Sequence, residues 1–465
     1  MSFPDATQIV LMNHGYGAAQ RLEFCFKAPQ DHGLPNLEHF PLTALSSSIY
    51  ALRNLPNNQP AGEQLSALGS ALGDALRTHP GHDRLESAIS QARVDAPRPI
   101  HVVLPYEDRM RADSVPWEVA CDANGNFLGL RETCPVVRIA QGGTEDTGNA
   151  PESVAVDEIR LTAVLGARGA PSRQAFEALR DGLSQWQLGV RALFLVEDSG
   201  LRDEINALGD ARFEAELTPP EDNALIVRIS RSKPHLLHLL AHGTAEDGGY
   251  LEVNTRASLG GMQAIRLNAR HIYKAGKGSL LLHLAACSGA EVTEDTSSLA
   301  LGLMAEGTRA VVAMREPISF EDACEFMRAL TVETGQLLDA RLRPGERTPL
   351  HWGGAVTLAR GRLCGNGAVN GGACKSWTLP VLYLQPDPSF VTVPRRGGRV
   401  EQGQGSFDAP GGGVEDLSDA DRFILAVEKI AELERQAAEF DELRPDIAVL
   451  IRNKIEELRA RIVDL

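Results

Sequence analysis

From Val154 onward the chain alternates apolar, strand-like runs with amphipathic helical ones, and this alternation restricts the fold more than any other feature of the sequence. The runs "EIRLTAVLGA", "RALFLVED", "HLLHLLAHG", "SLLLHLAACSG", "AVVAM" and "VLYLQ" are short and apolar. Between them lie "SRQAFEALRDGLSQ", "SLALGLMAEG" and "FEDACEFMRALTVETGQLLDARL", whose apolar residues recur at helical spacing. Strand, helix, strand in series predicts an α/β fold: parallel strands need crossover connections, and the crossover helices cover both faces of the sheet.

The segments around this core divide the chain. Residues 1–140 mix strand-like pieces ("QIVLMN", "RLEFCFKAP", "PIHVVLPYED") with a helical one, "GEQLSALGSALGDALRTHP", and read as an N-terminal α/β half. Within it, "DANGN" reads as a turn between two short strands. A polar, Gly-rich spacer (141–153) leads to the main domain, 154–393. A second linker, 394–416, is too rich in Gly and charge to fold alone. Residues 417–465 carry apolar stripes at helical spacing, with Pro445 suited to a helical first turn, and read as an αα-hairpin. Packing back on the core and binding a partner are equally open roles for it.

Composition narrows the function. With 43% hydrophobic and 23% charged residues, and no apolar run long enough for a membrane helix, the chain reads as a soluble, cytoplasmic protein. The N-terminus lacks a basic stretch followed by an apolar one, so no signal peptide is expected. A formal charge of −16 speaks against nucleic acid as the main partner and suits basic peptides. The seven cysteines are scattered with no CxxC pair, which argues against both a disulfide framework and a zinc ribbon.

Three histidines stand in "PHLLHLLAHGTAEDGGY": His235, His238 and His242. No glutamate is interposed as in HExxH, so neither a metal nor another cofactor is expected. On a strand, His238 and His242 share one face and His235 takes the other. His242, followed by Gly243, leaves the strand at its carboxyl edge, where α/β sheets form their crevices. Cys287 leaves "LLLHLAA" in the same way, so two chemically competent side chains exit neighbouring strands at one edge. His238 and His283 lie inside the strands and read as buried support.

These residues carry a resemblance. A His-Gly pair followed 45 residues later by Ala-Cys-x-Gly is similar to the caspase-type cysteine peptidase arrangement. The segments "LHLLAHG", "LHLAACSGAEV", "SLALGLMAEGTRAVVAMREPIS" and "PLHWGGAVTLARG", with the upstream "VPWEV", resemble the CHAT family, the caspase-like proteases related to separase, over roughly residues 95–385. The resemblance implies a caspase-like, mostly parallel sheet flanked by helices, preceded by a pseudo-caspase-like half. It implies a Cys–His dyad without a third member, with Cys287 as nucleophile and His242 as general base. Gly243 and Cys287 are the expected oxyanion-hole donors.

For relatives that cleave after arginine, the family's acidic positions fall on Asp322, in the loop after "AVVAM", and on Asp295 near the cysteine. Phe320 stands where another acidic residue is common, and both aspartates equally suit helix N-terminal carboxylates. The partners expected are a protein or peptide substrate and an upstream activating protease or sensor, with no direct nucleic acid and no membrane. "ARGRLCGNG" and "VPRRGGRVE" are candidate cleavage sites for activation. Bacterial CHAT proteins suggest a setting in antiviral defence or cell death. The competing reading is a silent caspase-like scaffold that recruits partners through the C-terminal hairpin. A small-molecule α/β hydrolase is disfavoured, since no G-x-S-x-G is present.

Overall fold

Fourteen of the described strands join into one sheet, and its strand directions decide where a site can form. The computed structural model describes residues 6–14, 21–28, 37–56, 59–105, 112–140, 153–156, 158–167, 170–244, 249–255, 264–286, 299–365, 374–386 and 389–392. The described residues fall within one compact unit, Met1–Arg395. The linker 394–416 and the expected hairpin 417–465 lie outside the described residues, as do Cys287, Asp295 and most of the 141–153 spacer.

The N-terminal part supplies β1 (Thr7–His14), β2 (Arg21–Lys27), β3 (Glu38–His39), β4 (Ile100–Leu104) and β5 (Val136–Ala140). Its helices are α1 (Leu42–Arg53), α2 (Gly62–Arg77) and α3 (Asp83–Gln91). Next come β6 (Ser153–Ala155), β7 (Ile159–Leu165), α4 (Ala170–Leu183), β8 (Val190–Val196), α5 (Ser199–Ala207), β9 (Phe213–Leu217) and α6 (Asp222–Ser232). The remaining strands are β10 (Leu236–Thr244), β11 (Tyr250–Val253), β12 (Ile265–Leu267), β13 (Leu281–Ala286), β14 (Ala310–Met314), β15 (Arg347–Leu350), β16 (Pro380–Leu384) and β17 (Ser389–Thr392). The remaining helices are α7 (Ala269–Ala275), α8 (Leu299–Ala305), α9 (Phe320–Arg341) and α10 (Gly353–Cys364).

The order across the main sheet is β3-β2-β1-β4-β5-β16-β14-β13-β10-β7-β8-β9, with β11 pairing with β10 and β12 with β11. From β14 to β9 every pairing is parallel, as the alternation of strand and helix requires. The strand read as "VLYLQ" departs from that pattern: β16 runs antiparallel to β14 and parallel to β5. It follows α10 and the Gly-rich segment rather than a simple crossover, so nothing in its own residues sets its direction. Through it the N-terminal half joins the sheet with β1, β4 and β5 reversed relative to β14.

Period-two burial explains why helices cover both faces. In β14, Val311 and Ala313 enter one apolar cluster, while Ala310, Val312 and Met314 enter the other. The helix α8 stops where the sequence suggests, at Gly307, whose φ of 102° suits glycine better than any other residue. The segment around "DANGN" differs from the expectation. It is a turn in which Asp122 Oδ1 accepts from the Asn124 and Asn126 amides at 2.9 Å, closed by an isolated Cys121–Phe127 bridge. The flanks are short 3-10 turns, Trp117–Val119 and Leu128–Leu130, rather than strands. The side chain of Asp122 offers the backbone a local alternative to a ladder.

The "VPWEV" segment holds the two halves together. Trp117 is buried against Phe40, and its indole N–H donates to Ala112 O at 2.9 Å. Glu118, fully buried, takes two hydrogen bonds from Arg138 of β5, at 3.2 and 2.9 Å, and faces Arg360 of α10 at 3.8 Å. Arg138 also pairs with Asp113 at 2.6 Å, and Asp113 accepts from Tyr383 of β16 at 2.9 Å. Burial pushes the Glu118 carboxyl upward, but the two guanidiniums offset this and hold it below the usual carboxylate range.

Candidate functional site

The strand β10 is apolar from Leu236 to Ala241 apart from His238, as a strand buried between β7 and β13 must be. Its parallel register with β13 sets Leu236 opposite Leu281, His238 opposite His283 and Ala241 opposite Ala286. The next residues of the two segments are His242 and Cys287, the second of which lies outside the described residues. Asp295, on the same stretch, also lies outside them.

The three histidines of the "PHLLHLLAHG" segment part company. His235 precedes the strand, is buried, and its Nδ1 accepts from the Arg160 amide at 3.1 Å. His238 is buried mid-strand with its Nδ1 3.1 Å from Nδ1 of His283, which is itself packed on Phe326. Burial lowers the His238 pKa to about 4, and burial together with His238 takes His283 well below its ordinary value. Both are therefore neutral supports, as their interior positions suggest. His242 is only half-buried and pairs in register with Glu252 of β11, beside Gly243 opposite Leu251.

The approach of β11 depends on Gly166 at the end of β7. A Cβ there would lie 2.6 Å from Val253 Cγ1, and the Gly166 carbonyl accepts from both the amide and the side chain of Asn254. Glycine is what allows the β10–β11 extension to fold over this edge.

The loop between β14 and α9 opens at the same edge, since β14 is parallel to β13. Here Ser319 caps α9 by accepting from the Asp322 amide at 3.1 Å. Asp322 is half-buried, and Ser376 donates to its Oδ2 at 2.5 Å. A second carboxylate in this loop escaped the sequence reading. Glu316 is buried and pairs with Lys375 at 2.9 Å and Arg315 at 3.2 Å. The same Lys375 ammonium donates to the carbonyls of Leu52 and Arg53 at the end of α1. Only the fold brings these three segments together.

Of the two basic segments read as cleavage sites, the first lies largely within α10. Arg360 there is fully buried, donating to Pro380 O, and Arg362 is held by Glu333 at 2.6 Å. A protease needs an extended, exposed strand of substrate, so cleavage after either arginine requires the helix to open. The second segment lies outside the described residues.

The sheet order and its pairings define a mostly parallel α/β protein in which β10, β13 and β14 end at one edge. The CHAT domain family matches residues 64–340, more than half of the chain, and the chain belongs to that family. Among solved structures, separase in the Saccharomyces cerevisiae separase–securin complex is similar at 13% identity and a TM-score of 0.35, over 78% of this chain and 21% of that one. The Arg-specific cysteine proteinase gingipain R is similar at 9% identity and a TM-score of 0.38, over 70% of this chain and 67% of that one. The chain thus spans about a fifth of the separase it resembles. No curated protein sequence matches it. Among the described residues no helix is long and apolar enough to cross a membrane.

Proposed function

We propose that the chain is a cysteine endopeptidase in which Cys287 is the nucleophile and His242 the general base. The observation that carries this reading is the parallel register of β10 and β13, which ends in the pair Ala241–Ala286, one residue short of His242 and Cys287. In this mechanism His242 takes the thiol proton and the thiolate adds to the scissile carbonyl carbon. The backbone N–H groups of Gly243 and Cys287 receive the oxyanion. Collapse breaks the C–N bond as the imidazolium protonates the leaving amine, and water then hydrolyses the thioester with His242 as base.

The favoured residue at the cleaved position is arginine. Asp322 supports this reading, since Ser376 occupies only one of its oxygens and it stands in the first turn of α9, next to the loop after β14. Asp295 is the second acidic candidate. We place the enzyme in the cytoplasm as a regulated peptidase or pro-enzyme of bacterial defence or cell death, answering to an upstream protease or sensor. Family membership supports that setting. None of the described cysteines forms a disulfide, which suits a reducing compartment.

Labelling with an arginyl and with a norleucyl electrophilic peptide probe tests the reading. Modification of Cys287, lost in His242→Ala and stronger with the arginyl probe, is the expected result. Absence of labelling after proteolytic nicking and after addition of candidate partners would favour the scaffold.

A further inference from the structure

Resting on the peptidase reading above, we infer that Glu252 is a positioning residue for His242, held in place by Arg266 and Tyr250. The dyad described so far leaves His242 without an orienting group. A base that must take a proton and return it is more effective when its second ring nitrogen is engaged.

The β10–β11–β12 extension has two distinct faces. Leu251, Val253, Ile265 and Leu267 alternate into the core, which leaves Glu252 and Arg266 on the opposite face. The antiparallel registers pair His242 with Glu252 and Glu252 with Arg266. Directly opposed residues share a face, with Cβ atoms about 4.5–5.5 Å apart. His242, Glu252 and Arg266 therefore form one row across three strands, beginning at the proposed base.

The row is restrained at its far end. Arg266 Nε donates to Glu252 Oε1 at 3.3 Å, and its guanidinium lies 4.6 Å from the centroid of the Tyr250 ring. Tyr250 is buried, so the guanidinium has a fixed surface to rest on. The pair itself adds little to stability, because the Arg266 and Glu252 side chains remain 49% and 32% exposed. Arg266 engages Glu252 through Oε1. Catalytic hydrogen bonds are often long before substrate binds and tighten in the complex, so a carboxylate one strand away suits a positioning role.

Among the described residues, the other neighbours of His242 offer no substitute. At this level β7 presents Leu165 and Gly166, which carry no charge, and β13 ends in Ala286 before Cys287. On β10 itself the other titratable group of that face is His238, already engaged with His283.

The test has two readouts on the full chain with 15N-labelled histidine, His242 being assigned by its loss in His242→Asn. At mildly alkaline pH the ring 15N shifts of His242 are expected to report one dominant tautomer in the wild type and a mixture in Glu252→Ala, with Glu252→Asp retaining the bias. Against an arginyl peptide substrate, Glu252→Ala lowers kcat by about tenfold with KM within about twofold, Glu252→Asp recovers part of the loss, and Arg266→Ala shows a smaller fall in the same direction. Identical ring shifts in wild type and Glu252→Ala overturn the assignment even if the wild type is active. So does a loss of activity that merely follows the folded fraction. If the wild type cleaves nothing under any trigger, the peptidase reading falls, while the ring shifts still decide the role of Glu252.

Discussion

The two halves of the sheet are built from similar strands and treat their polar groups in opposite ways. In the N-terminal half, Arg138 on β5 is fully buried with its donors taken by Glu118, Asp113 and the Val115 carbonyl. In the other half, His242 on β10 stands half-exposed, with no hydrogen bond to its ring from a described residue. Because β16 is antiparallel to β14, β1, β4 and β5 end at the opposite edge from β10, β13 and β14, and β2 is the strand of the first half that runs back toward theirs. The first half's charges Arg138, Glu118 and Asp113 are spent on joining it to Arg360 and Tyr383 of the other half.

The sharpest way to break this contrast is to remove charge from the buried network. Glu118→Gln is expected to lower stability by about 3–5 kcal/mol, because it leaves two buried guanidiniums against one remaining carboxylate. A denaturant midpoint unchanged from wild type would mean that the network is not what unites the halves.

The buried histidine pair gives a somewhat smaller, pH-dependent effect. His238 and His283 have depressed pKa values in the fold and titrate near the ordinary value when unfolded, so below about pH 6.5 the unfolded chain binds more protons. Stability is therefore complete above that pH and declines on acidification, by about 3 kcal/mol at pH 4 from His238 alone. Thermal melts across this range measure it against a His238→Leu/His283→Leu double variant, which should lessen the dependence and leave the part that buried His101 and His351 contribute. An equally steep loss in the double variant would assign it to other groups.

The smallest effect belongs to the first turn of α9, the proposed site of arginine preference. Asp322→Asn should reduce the preference for arginyl over norleucyl peptides by about tenfold, equivalent to ~1.4 kcal/mol, while the melting temperature stays near that of wild type. A loss of stability without a change in preference would show that Asp322 serves chiefly as the α9 N-terminal carboxylate, the role its Ser319 and Ser376 contacts also permit.

Much of the fold was legible because periodicity and burial are local. The runs that became β7, β8, β10, β13 and β14 are continuous and apolar, and the α9 helix announces itself with a Ser cap and a long periodic stretch. Less legible were β9, β11 and β12: short strands whose glutamates and arginine break the apolar signal. Of the candidate site, His242 was readable as a strand-end residue beside a glycine. Glu316 was not, since its meaning depends on Lys375, and neither was the Glu252–Arg266 row, since it depends on register.

The chain's own pattern of residues thus determined which segments become strands, that most run parallel, and which histidine would emerge at an edge. These follow from apolar period and from what a doubly covered strand must bury. Tertiary structure alone decided that β16 reverses direction, that Arg138, Glu118 and Arg360 meet from distant segments, and that Glu252 faces His242. Pairing partners and register are set by packing between segments remote in sequence, and a single segment's pattern carries no information about which neighbour it will meet.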